Sequence, residues 1–257
     1  LRLGDADPRW LWGTYIRLGA DLGAPVILAE NPDGLLSTSD GEAMHLVLRT
    51  FEAYGYSVEW QRLAAGTVGA PHIRERIFLV GRRDGRETWG APGQAQMWPG
   101  RPAKWPRSGR WAHGRVTVCR DLYPTPARGD FPFEATGEMF PTPAARDYRA
   151  ANSAESQERR NAGSARGQQL PNHLCDIERA AGNQVGAATV NPEMHEWMQG
   201  FPLGWGWPDG LSMVDAESHP FGAPIPRSEW LGSEKTHRRP RLKGTGNAVC
   251  VQAGEVI

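Results

Sequence analysis

Two short apolar runs limit what this chain can fold into: Val26-Ile27-Leu28-Ala29 and Ile77-Phe78-Leu79-Val80. Each is too short for a helix and has polar residues at one end, which predicts buried strands. The first run stops at Glu30-Asn31; the second is entered through His72-Ile73-Arg74-Glu75-Arg76. Between them, Ala43, Leu46, Val47, Leu48 and Phe51 recur at helical spacing within Gly41 to Tyr54, and Tyr56 to Leu63 reads as a third strand. That succession predicts part of an α/β sheet, a class that places its ligands at strand ends. One carboxylate, Glu30, and two guanidiniums, Arg74 and Arg76, stand at those ends. Alternate residues of a strand share a face, so both arginines are expected on one side with Glu75 on the other.

At 257 residues there is room for one large domain or two smaller ones, and 31 glycines with 21 prolines require much loop. Three scattered cysteines make neither a disulfide framework nor a metal site and suit a reducing cytoplasm. No stretch approaches a membrane span. The formal net charge is zero, yet Arg101, Lys104, Arg107, Arg110, Arg115 and Arg120 follow one another with no acidic residue between them. A local basic field of that kind suits phosphate contact, or is an ordinary solvated loop.

Upstream of the first run, Asp7-Pro8-Arg9-Trp10 followed by Leu11, Tyr15, Ile16, Leu18 and Leu22 reads as a helix with proline near its first turn. After Arg83 the periodicity collapses, and residues 84 to about 185 carry glycine, proline, arginine and Trp89, Trp98, Trp105 and Trp111 with little helical or strand pattern. An imperfect duplication lies there: Tyr123-Pro124-Thr125-Pro126-Ala127-Arg128-Gly129-Asp130 and Phe140-Pro141-Thr142-Pro143-Ala144-Ala145-Arg146-Asp147. Its prolines impose extended backbone and hold the following Arg and Asp in a set direction. Arg159, Arg160, Arg166 and Gln168 belong to the types that reach guanine and adenine edges, or to a polar loop. Further on, Asn191 and Pro192 read as the cap and first position of a short helix ending at Gly200, and Gly246 as the start of a last helix.

Four of these stretches, in order, resemble the motifs of one family. Glu30-Asn31-Pro32 is similar to the Glu-Asn-Val motif of the cytosine-C5 DNA methyltransferases, and His72-Ile73-Arg74-Glu75-Arg76 to their Gln-x-Arg-x-Arg motif. Asn191-Pro192-Glu193 through Gln199-Gly200-Phe201-Pro202 resembles the motif after their target-recognition region, and Gly246-Asn247-Ala248-Val249 their last motif. The resemblance is to the C-terminal part of a phage or bacterial member and implies a partial Rossmann-like methyltransferase sheet, its second half, plus an irregular, loop-rich target-recognition domain. The implied boundaries are 1–83 for the catalytic part, 84–235 for recognition and 236–257 for a closing segment returning to the catalytic part.

The implied activity is transfer of a methyl group from S-adenosylmethionine to C5 of a cytosine flipped out of double-stranded DNA, as in restriction-modification. Glu30 would protonate N3, Arg76 would bind O2, and Arg74 would contact phosphate or brace the flipped nucleotide. Asn31 would hold the loop, and Gly246, Asn247 and Ala248 would line the cofactor pocket. Arg128, Arg146, Arg159, Arg160, Arg166 and Gln168 are the expected DNA contacts, and no metal is expected. A free glutamic acid titrates near ~4.3, and burial at the strand end is expected to raise Glu30 above that. Pro32 and His72 depart from the family's usual valine and glutamine; His72 is given no catalytic role.

Family members also carry a Gly-rich cofactor turn and a Pro-Cys nucleophile. Neither is read in this chain: Cys119, Cys175 and Cys250 follow Val118, Leu174 and Val249, so no Pro-Cys exists. The expectation is a cytoplasmic enzyme, monomeric when complete, whose N-terminal half lies in the same gene or another chain, and which by itself is inactive. A subunit of a split methyltransferase and a non-catalytic sequence-specific DNA-binding module are the alternatives. A missing half-sheet predicts an unpaired edge at Val26.

Overall fold

The computed structural model describes residues 10–84, 92–97 (backbone only), 105–119, 139–153, 156, 169–185, 188–201, 230–232, 238–248, 250, 251 and 253. The chain forms two compact units: Leu1–Ala64 with Glu75–Thr125, and Ala65–Arg74 with Pro126–Ile257.

The first unit is built on a six-stranded sheet of order β1-β3-β2-β5-β6-β4, where β1 is Val26–Pro32, β2 Ser57–Ala64, β3 Glu75–Arg82, β4 Pro92–Met97, β5 Ser108–Ala112 and β6 Arg115–Cys119. Each pairing is antiparallel. Since β1 and β2 both oppose β3, they run parallel to each other, and β3 has been inserted between the two strands of a strand-helix-strand unit. Helix α1, Trp12–Asp21, and helix α2, Glu42–Ala53, carry buried Trp12 and Ile16, and buried Ala43, Met44, Val47, Leu48 and Phe51. These join one core with Ile27, Ala29, Val58, Trp60, Ile77 and Leu79. Helix α2 ends where Gly55, at φ 83°, turns left-handed and lets the amide of Tyr56 return to the carbonyl of Phe51. The proline expected near the start of α1, Pro8, lies outside the described residues.

The two apolar runs that read alike in sequence are buried differently. Ile77 to Val80, in β3, are covered on both faces. In β1 only Ile27 and Ala29 are buried, while Val26 is 40% and Leu28 51% exposed. The expected buried strand is therefore half-exposed, because β1 is the outermost strand among the described residues. The amide of Arg83 reaches the carbonyl of Pro25, so odd-numbered residues of β1 direct their backbone groups to β3 and even-numbered ones outward. Pro32 thus sits where its missing N–H costs the ladder nothing. On this outer edge the Tyr15 hydroxyl donates to the carbonyl of Leu28 at 2.5 Å.

Residues 84 onward hold more regular structure than their composition suggested. Strands β5 and β6 form a hairpin across His113-Gly114, both at positive φ, and extend the sheet from β2. The first unit therefore runs past the boundary expected at residue 83, by hydrogen bonding that no periodicity announced.

The second unit has helices α3, Leu170–Ala180, α4, Pro192–Met198, and α5, Arg238–Asn247. Its apolar cluster gathers Phe140, Leu170, Leu174, Val190, Met194, Trp197, Met198 and Leu242. As expected, Asn191 caps α4, its side chain accepting the amide of Glu193 at 3.1 Å, with Pro192 in the first turn. Gly246 does not open a helix; it lies in the last turn of α5. Segment 65–74 and the chain from 126 onward group together, which differs from the boundaries expected at 83 and 235.

Candidate active site

In the first unit the C-terminal end of β1 meets the start of β3. Glu30 stands opposite Phe78 and Pro32 opposite Arg76, so Glu30 and Arg76 are diagonal neighbours on one face. Their side chains close that diagonal, the Arg76 Nε lying 2.8 Å from the Glu30 carboxylate. Arg76 Nη1 also donates to the carbonyl of Glu75 at 2.8 Å. Both side chains keep solvent access, 26% for Glu30 and 21% for Arg76, so burial of Glu30 is only partial. Asn31 is half-buried and stands opposite Ile77.

The opposite face carries a second set of charges that sequence reasoning missed. Arg62, opposite Ile77, pairs diagonally with Glu75. Arg62 also lies 3.4 Å from Asp33, and Arg107 lies 3.4 Å from Glu75. Three carboxylates and three guanidiniums are thus sorted across one end of the sheet. The only sequence signal was Glu75 between two arginines, and its partners come from strands elsewhere in the chain.

Arg74 does not share the face of Arg76. It precedes β3, takes φ 31°, a strained value for a residue with a side chain, and belongs to the second unit. Only 6% exposed, it donates from Nη1 to the carbonyl of Pro143 at 3.0 Å and from Nη2 to those of Gly246 at 3.2 Å and Ala248 at 2.8 Å. Its amide reaches Thr142 Oγ1 at 3.3 Å. The guanidinium joins the second Pro-Thr-Pro copy to the segment at the C-terminal end of α5.

That segment holds the three residues expected at the cofactor. A Cβ on Gly246 would stand 2.4 Å from the backbone of Ala144 and Ala145, so its missing side chain admits the chain itself and leaves no room there for a ligand. Ala248 gives its carbonyl to Arg74, and Asn247 is exposed. Among the described residues, Gly246 and Ala248 form a packing joint with Ala144, Ala145 and Arg74.

Around the joint lies a buried polar network. His195 Nε2 is 3.0 Å from Asp147, which also accepts the amide of Ala144. His195 Nδ1 lies 3.3 Å from the Thr245 hydroxyl. Arg241 and Glu196 form an ion pair at 2.9 Å, both nearly inaccessible. His72, also buried, places Nε2 2.9 Å from the carbonyl of Met198, and Gln199 donates to the carbonyl of Thr245 at 3.2 Å. Arg146 is exposed while Asp147 points inward. Arg128, Arg159, Arg160, Arg166 and Gln168, like the first Pro-Thr-Pro copy, lie outside the described residues. No group of three or more His, Cys, Asp or Glu side chains placed to hold a metal, and no helix long and apolar enough to cross a membrane, occurs among the described residues.

Residues 2–109 match the family model of the C-5 cytosine-specific DNA methylases. The type II methyltransferase M.BspRI of Lysinibacillus sphaericus is 35% identical over 83 residues, 32% of this chain and 20% of that protein. M.FnuDI of Fusobacterium nucleatum is 41% identical over 81 residues, 31% of this chain and 24% of that protein. M.BsuRI of Bacillus subtilis is 32% identical over 82 residues, 32% of this chain and 19% of that protein. The chain thus spans about a fifth to a quarter of the length of these relatives.

Proposed function

We propose, from the match of residues 2–109 to the C-5 cytosine-specific DNA methylases, that this chain belongs to that family as part of a type II DNA cytosine-5 methyltransferase and carries the groups that polarise the target base. The observation behind this reading is the diagonal pair of Glu30 and Arg76, 2.8 Å apart at the end of β1 with solvent access to both. C5 of cytosine is a weak nucleophile until a thiolate adds at C6 and breaks the ring's conjugation. Negative charge then spreads toward N3 and O2. A carboxylic acid at N3 gives its proton there, and a guanidinium at O2 donates hydrogen bonds to the growing charge. Glu30 and Arg76 are those two groups. Their mutual bond keeps both side chains oriented before the base arrives, having left the duplex to do so.

Arg74 is a positioning residue in this scheme. Its Nη1 and Nη2 donate to three carbonyls of the second unit. S-adenosylmethionine is the methyl donor that the family reading implies. The thiolate also comes from elsewhere in this reading: none of Cys119, Cys175 and Cys250 follows a proline, the latter two are buried, and burial raises the Cys175 thiol above its ordinary pKa. A Rossmann-like half-sheet that continues beyond β1, in a longer chain or a partner chain, accounts for the half-exposed Val26 and Leu28. A non-catalytic DNA-binding module has no use for the Glu30–Arg76 pair.

The test is transfer of labelled methyl from S-adenosylmethionine to double-stranded DNA. The chain alone is expected to give none. Supplied with a polypeptide carrying a Gly-rich turn and a Pro-Cys loop from a relative, it is expected to gain activity. Glu30→Gln should then lower kcat by about 10²–10⁴ while DNA affinity holds. Full activity of the complemented Glu30→Gln variant would overturn the assignment.

A further inference from the structure

In the second unit Tyr148 lies under three cations from two segments. The guanidinium carbon of Arg239 is 4.7 Å from the ring centroid, that of Arg149 is 5.8 Å, and the Lys243 ammonium is 5.7 Å. Arg239 and Lys243 are four residues apart on α5 and so share one face of it. All three charged side chains are exposed, and Arg146 beside them is exposed as well. Within 139–153 and 238–248 the single carboxylate is Asp147, which is turned inward to His195 and the amide of Ala144. Like charges at this spacing repel one another, and the electron-rich ring face of Tyr148 is what gathers them. The Tyr148 hydroxyl responds to the same surroundings: its pKa is lowered, first by its hydrogen bond with Arg149, then by the charges of Arg149, Arg239 and Lys243.

We propose that Tyr148, Arg149, Arg239 and Lys243 form a contact site for the sugar-phosphate backbone of DNA. This rests on the methyltransferase reading and adds to it a set of residues outside the motifs. Several cations converging on one exposed spot suit a ligand with closely spaced anionic groups, and nucleic-acid phosphates provide that spacing at any sequence. The site positions the duplex without reading bases, and so differs from the side chains expected to reach base edges.

The experiment is fluorescence anisotropy of the full chain with a short duplex of mixed sequence, titrated from about 50 to about 200 mM salt. The triple variant Arg149→Gln, Arg239→Gln, Lys243→Gln is expected to bind more weakly and to lower the slope of log affinity against log salt by about 2 to 3, near ~0.9 for each phosphate no longer neutralised. Arg239→Lys, which keeps the charge, should retain the wild-type slope. Tyr148→Leu should weaken binding without changing the slope. Arg17→Gln, exposed on α1 in the other unit, should change neither. The altered side chains are on the surface, and circular dichroism checks that the variants fold. If the triple variant keeps the wild-type slope, the site is overturned and the methyltransferase reading stands. If the wild-type chain binds no duplex at low salt, that reading fails and the site with it. Equal affinity for polyglutamate, abolished in the same variants, overturns DNA in favour of an acidic protein partner.

Discussion

The two units are held together by different means. The first closes over a large apolar core, with Phe51, Ile77, Leu79, Trp60 and Trp111 packed between sheet and helices, and buries fewer polar groups, Glu59, Gln61 and Ser108, on its strands. The second has a smaller apolar cluster, beside which lie the buried groups Arg74, Asp147, His195, Glu196, Arg241 and Thr245. The cause lies in the backbone. A sheet pairs its amides and carbonyls in ladders, so its interior can be apolar. A unit assembled from loops and short helices leaves carbonyls that side chains must satisfy. Arg74 serves three of them, at Pro143, Gly246 and Ala248, Gln199 serves Thr245, and His72 serves Met198. Stability in the first unit follows from buried area, and in the second from completeness of hydrogen bonding.

This contrast can be broken first at the Glu196–Arg241 pair. Arg241→Met removes the guanidinium bonded to a buried carboxylate and should cost about 3–5 kcal/mol, much of it recovered when Glu196→Leu is added. Leu79→Ala in the first unit should cost about 2–5 kcal/mol with no partner substitution able to restore it. Urea denaturation of the three variants measures both, and a double variant as unstable as Arg241→Met would remove the distinction. A smaller effect is expected at the joint, where Gly246→Ala drives a Cβ into the backbone of Ala144 and Ala145. Overpacking of that kind costs about 1–3 kcal/mol, read as a fall in midpoint, and an unchanged midpoint would show that the joint can open. The smallest belongs to the sheet edge. Leu28→Ala, at a half-exposed position, should stay within about 0.5 kcal/mol of the parent and reduce aggregation measured by light scattering. A destabilisation as large as that of Leu79→Ala would mean that the edge is covered in solution.

Local chemistry was legible in the sequence. The helical spacing through Phe51, the Asn191-Pro192 start of α4, and the placing of Glu30 and Arg76 at strand ends all rest on neighbours a few residues apart, whose influence is written in adjacent letters. The hairpin at 108–119 was also local, but His113-Gly114 is a weak turn signal beside prolines and tryptophans, and it went unread.

What tertiary structure alone decided involves partners far apart in the chain. Two apolar runs of the same length became an edge strand and a central one because β3 inserts between β1 and β2, a choice of order that neither run encodes. Arg74 and Arg76 share a motif and an expected face, yet Arg74, at a positive φ, spends its side chain on carbonyls 69, 172 and 174 residues away. Gly246 reads as flexible backbone beside a ligand, but the atoms that require it to be glycine belong to Ala144 and Ala145. Sequence by itself indicated which residue types are capable of chemistry and where β1, α2, β2, β3 and α4 lie, since those properties are set within a turn or a rung. Which of those groups face solvent and which are spent on the fold was set by long-range pairing and by the need to satisfy buried carbonyls, neither of which leaves a period in the chain.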